Sequence, residues 1–143
     1  MAESRTDQIL LTGLAGGISL NLAMIFTFRV VGFGWNGGGI LLDPDIQSSK
    51  LIAVWTELEP LPKVYADPLP IIPELFFFGF IHAIVYQSVA QAWPEGIIPR
   101  ATRFAGVLFG IGFLFWEFFT PFNLFGEPIP LIALELLFWA IIA

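Results

Sequence analysis

Apolar residues fall along this chain in four runs, and the breaks between them set how many helices can form. The first run extends from about residue 8 to 33, the second from 70 to 93, the third from 101 to 121, and the fourth from 128 to 143. A helix needs about 20 mostly apolar residues to cross roughly 30 Å of hydrocarbon. The first three runs meet that length. The fourth has 14 residues from Pro130 onward, which reach only about 21 Å at 1.5 Å each, so it is expected to be short or truncated.

The punctuation agrees with these limits. GWNGGG at 34–39 stops the first helix, because a glycine run favours a turn. AWPEGIIPR separates the second run from the third, and FNLFGEPIP turns the third into the fourth, with Pro128 and Pro130 suited to a helix start. The segment 34–69 is different. It has a short apolar stretch at Leu51–Trp55 followed by prolines at 60, 62, 68 and 70, a density that prevents a long helix. A short interfacial element around Lys50–Leu58 and then an extended stretch are expected there, with Trp55 and Tyr65 at headgroup level. The pattern predicts an all-α integral membrane protein, a single domain over 1–143. It is a bundle of four transmembrane helices with a long extramembrane loop between the first two.

Composition changes the picture in one direction. Of 143 residues, 57% are hydrophobic and 13% charged, with a mean hydropathy of +0.81. A soluble domain carries about a quarter charged residues, so lipid is the solvent this surface suits. The net charge is −6 and there is no basic tract, which excludes the clustered cations of a nucleic-acid partner. There is no cysteine, so disulfides and thiolate metal sites are excluded. MAESRTDQILLTGL has more acid than base and no evident cleavage site, so it reads as a retained first helix. Arg5 before the first span, and Arg100 and Arg103 between the second and third, orient the chain with a cytoplasmic N-terminus, in a cell inner membrane.

The apolar runs are not clean. PELFFFGFIHAIVYQSVAQAW (73–93) carries Glu74 and His82, the first run carries Arg29, the third Glu117 and the fourth Glu135. A charge at mid-bilayer costs at least about 2.5–3.5 kcal/mol, so such groups face a bundle interior and pair. Arg29, Glu74, His82, Glu117 and Glu135 are therefore expected to share a dry interior towards the outer side. Arg29 should bond Glu117 or Glu74. Glu127 is placed at the interface, at a helix N-terminus favoured by the dipole. Gly13, Gly17 and Asn21 on the first helix and Gly106 and Gly110 on the third form small-residue stripes that allow close helix packing.

Each polar residue also has a plainer role as a hydrogen-bonding packing group, His82 above all, since such bonds hold helices together at about 0.6 kcal/mol each. A lone histidine excludes bis-histidine haem, and no Glu-x-x-His pair, phosphate loop, nucleophile elbow or zincin motif is present. Neither a catalytic residue nor a metal site is assigned, and no enzyme is expected. The leading expectation is a non-catalytic accessory subunit of a larger membrane complex, with lipid and other membrane subunits, or copies of itself, as partners. The alternative is a proton or cation channel or transporter built by oligomerisation from the intramembrane Glu and His. A third reading makes His82 a single axial ligand to a chlorin or haem.

Overall fold

The computed structural model describes residues 5–143, and all regular structure among them is helical. Three helices are long and apolar enough to cross a membrane: α1 (Arg5–Gly32), α4 (Ile71–Ala92) and α5 (Ile97–Phe125). Two short helices, α2 (Ser49–Thr56) and α3 (Lys63–Ala66), lie between α1 and α4, and α6 (Ile129–Ile142) closes the chain.

The core of Phe28, Phe33, Leu41, Leu42, Leu131 and Phe138 is apolar, and so is much of the surface. Ile111, Phe77 and Phe115 are 75%, 64% and 63% exposed. Between Ile97 and Thr120 the only buried residue is Glu117. Apolar side chains turned outward and an acid turned inward suit a hydrocarbon solvent.

Helices α1 and α4 pack antiparallel through small residues. Gly13 lies against Phe80, Gly17 against Phe76, and Gly16 comes close to the backbone of Gly79. As the α1 position rises by four, its α4 partner falls by four, and the series ends where Asn21 Nδ2 donates to the carbonyl of Ile72 (3.3 Å) and to that of Gly17 (2.8 Å). Lacking a hydrophobic drive in lipid, such a pair is held by close backbone approach and by buried hydrogen bonds. Gly106 and Gly110 are placed differently: no atom lies within 4 Å of where a Cβ would stand. The first half of α5 instead meets α4 through Phe104, which edges against His82 and Tyr86.

The helix limits differ from the sequence pattern mainly in α5. It starts at Ile97 because Pro99 falls in the first turn, where a missing N–H costs nothing. It also runs through Pro121, where the pattern ends near 121. The turn widens to a π-type helix over Phe118–Phe122, and that wider turn takes up the proline ring that would clash in a regular α-turn. Two further widened segments lie at Phe109–Phe113 within α5 and at Ile25–Gly32, which ends α1.

The segment between α1 and α4 folds over one end of the bundle. Gly34, at φ +74°, reverses the chain, and the Gly39 N–H donates back to the Phe33 carbonyl (2.7 Å). Leu41 then packs against Gly32. Ser48 caps α2 by accepting from the Leu51 N–H (3.2 Å). Trp55 and Tyr65 both meet Phe33. Ser48 Oγ donates to the Phe125 carbonyl (3.0 Å), and Lys50 donates to that of Leu124. The cap therefore sits where α1 ends, α5 ends and α6 begins. The extended stretch expected after Leu58 includes the short α3.

Candidate functional site

Under this cap three carboxylates converge. Gly126, in the left-handed conformation (φ +66°), ends α5, and the Glu127 N–H returns to the Pro121 carbonyl (3.1 Å). This is the glycine helix stop that satisfies the orphan carbonyls of a last turn. It folds Glu127 back over the helix end. Pro128 and Pro130 then start α6, which carries Glu135 about 9 Å further along its axis. Glu117 projects from α5 about 12 Å before its end. Glu117, Glu127 and Glu135 each offer an oxygen within 4.8 Å of the others, and the three are 1%, 1% and 8% exposed.

Side-chain donors hold two of these acids. Trp139, one helical turn beyond Glu135, stacks on Phe113 with ring centroids 4.4 Å apart and donates its indole N–H to Glu117 Oε1. Gln47 of the cap donates to Glu127 Oε1 (2.6 Å) and to the Leu41 carbonyl (3.3 Å). The second oxygens of Glu117 and Glu127 are buried and, among the described residues, take no hydrogen bond from an N–H or hydroxyl group; Glu135 hydrogen-bonds to both acids, which requires a proton on one of the three. Beside the acids lies a cavity of about 290 Å³ walled mainly by apolar and aromatic side chains, with Phe28, Trp55 and Trp116 among them.

Electrostatics make this arrangement demanding. Two unit charges 4.8 Å apart repel by about 3.5 kcal/mol even at an effective dielectric of 20. Three ionised carboxylates cannot share this space without protons or a cation between them. Burial pushes the Glu127 carboxyl above its ordinary range; the hydrogen bonds with Gln47 and Glu135 oppose that shift, and the neighbouring Glu117 charge adds to it.

Replacing Gln47 by leucine should leave Glu127 Oε1 buried without its donor. We expect Gln47→Leu to cost about 1–3 kcal/mol and to loosen the cap, read as faster protease cleavage between residues 43 and 60. Cleavage and melting identical to wild type would show that Gln47 does not latch the cap.

The structure brings together only part of the expected polar group. Glu117 and Glu135 meet, and their third partner is Glu127, which the sequence assigns to the interface. Arg29 does not pair with Glu117 or Glu74: its guanidinium donates to the Trp35 carbonyl (3.1 Å) and lies over the Trp35 and Tyr65 rings. A helix-end arginine reaches outward along its stem in this way to place its head with the loop. Glu74 is exposed near the start of α4. His82 donates from Nδ1 to the Phe78 carbonyl (2.7 Å), with Phe78 and Phe104 beside the ring. That bond leaves Nε2 as the nitrogen open to a ligand.

Sequence reasoning missed Gln47 altogether. Glu127 had a usable signal: glycine followed by Glu-Pro-x-Pro marks a helix stop and restart, so the residue between must sit at the junction of two antiparallel helices. The class that the fold defines is an all-helical protein with three helices able to span a membrane. No known family, curated protein or solved structure matches the chain.

Proposed function

We propose that this is a small integral membrane protein that takes up cations, protons included, at the Glu117–Glu127–Glu135 cluster and moves them across the membrane as an oligomer. One observation carries the reading: three buried acids within 4.8 Å of one another, two of whose oxygens take no hydrogen bond from any N–H or hydroxyl group among the described residues. Burying such a group costs stability, and acids grouped at membrane depth commonly mark ion pathways. In this reading α6 is a fourth, short membrane helix, and the cap lies outside the bilayer. The antiparallel α1 and α4 put Arg5, Arg100 and Arg103 at the end away from the cap, which supports a cytoplasmic N-terminus in an inner membrane.

Proteoliposomes holding the full chain test this. With an imposed cation or pH gradient, Glu117→Gln should slow flux at least tenfold, while Glu74→Gln should leave it unchanged. Equal flux in wild type and Glu117→Gln would end the proposal. Sidedness is checked by an impermeant maleimide on intact cells: Asp45→Cys should label and Glu95→Cys should not.

A second reading keeps the protein as a non-catalytic subunit of a larger membrane complex. The outward face of α5 favours it: Gly106, Gly110 and Gly112 have open space beside them, and small residues are where membrane helices meet. Purification in mild detergent should then yield a stable assembly that Gly110→Leu disrupts. A monodisperse monomer with no co-purifying chain would count against both this reading and the oligomer.

A further inference from the structure

We infer that the cation held at the acid cluster is a calcium-sized divalent ion, bound by one oxygen from each of Glu117, Glu127 and Glu135. The inference rests on the cation-site reading above and names its ligand.

Geometry comes first. Three atoms no more than 4.8 Å apart fit within a circle of at most about 2.8 Å radius, which admits the roughly 2.3–2.6 Å of calcium–oxygen bonds. Magnesium demands a near-ideal octahedron at about 2.0–2.1 Å and keeps several waters, which suits three carboxylates held on separate elements less well. The donor set is oxygen alone, with neither imidazole nor thiolate, which selects hard cations over zinc or copper.

The hydrogen bonds supply a second, independent pointer. Trp139 and Gln47 each fix one oxygen of their glutamate as an acceptor. The remaining oxygens of Glu117 and Glu127 are buried and take no N–H or hydroxyl donor among the described residues, so only a proton shared with Glu135 or a cation can serve them. Pinning one carboxylate oxygen with an N–H while the other faces the ion is how outer partners orient metal ligands. Glu127 comes from the turn, Glu117 from α5 and Glu135 from α6, so a bound ion would tie the last two helices and, through Gln47, the cap into one unit. Charge also fits: a divalent ion with two ionised carboxylates and one protonated carboxyl is neutral, which lowers the cost of burying it. The adjoining cavity of about 290 Å³ has room for the waters that complete six to eight ligands.

The same tryptophans give the experiment. Trp116 and Trp139 line the cavity with the three acids, so indole excitation should sensitise a bound terbium(III) ion, a calcium-sized probe. We expect the full chain in nanodiscs, stripped with chelator, to give a saturable one-to-one terbium signal. Calcium should displace it at least tenfold better than magnesium. Glu117→Gln and Glu135→Gln should each weaken binding tenfold or more, and Glu74→Gln should not.

No saturable signal up to millimolar terbium, or binding unaltered in both cluster variants, overturns the inference. If neither glutamine variant folds, wild type decides, since a stoichiometry other than one or a preference for magnesium also overturns it. The two readings fail separately. No terbium binding with flux still lost in Glu117→Gln removes the metal and keeps the transport reading. One-to-one binding with flux indifferent to Glu117→Gln keeps the metal and removes transport.

Discussion

Gly79→Leu is expected to separate α1 from α4 and to give the largest loss of stability of any single substitution in the membrane core. A Cβ at position 79 would stand 2.8 Å from the Gly13 carbonyl oxygen and 2.8 Å from Gly17 Cα. Both obstacles are backbone, so no rotamer change relieves the clash. Overpacking usually costs about 1–3 kcal/mol, and leucine adds three more carbons beyond that Cβ. We expect at least the upper end of this range, plus loss of the Asn21 bond to Ile72. The comparison is Gly106→Leu, where nothing lies within 4 Å and the monomer should be indifferent. Thermal melting in mixed micelles reads both. If Gly79→Leu melts with the wild type, the close α1–α4 approach is not how the chain is held.

The second large effect is a substitution that replaces the ion with a side chain. Glu135→Lys puts an ammonium where a cation is proposed, facing Glu117 and Glu127. At about 4 Å and an effective dielectric of 20, each pairing gains about 4 kcal/mol, much of it offset by desolvation of the new charge. We expect the variant to fold, to melt at or a few degrees above wild type in chelator, and to show neither calcium stabilisation nor flux. Glu135→Ala should instead melt below wild type in chelator, since it leaves two unbridged carboxylates beside the cavity. Flux retained in Glu135→Lys would mean that ions do not pass through this cluster. A variant that fails to fold would mean that the three acids are not poised for a cation.

The span-length helices were readable because hydrocarbon imposes a length and a composition that a local sequence window can measure. Their ends were less so. Pro121 reads as a stop, yet α5 continues to Phe125, because a widened turn hides the proline ring and Gly126, five residues beyond the proline, supplies the real stop. The glycine stripes looked alike in the sequence, yet Gly13 and Gly17 are buried against α4 while Gly106 and Gly110 face outward. Spacing reports that a face is small. It does not report whether a neighbour lies against it.

The acids show the same division. Placing Glu117 and Glu135 at one depth needs only helix rise and topology, so their meeting could be anticipated. Arg29 has the same depth on paper, but its long stem reaches to the carbonyl of Trp35 and not to the acids.

By itself, then, the sequence determined the solvent of this protein and its helical class, because both follow from local hydropathy and from backbone groups that must bond within their own segment. Only tertiary structure decided which acids share a site. That choice turns on the left-handed Gly126 and on a glutamine 80 positions away in sequence from the carboxylate it holds, and no periodicity along one helix encodes a contact between segments so far apart.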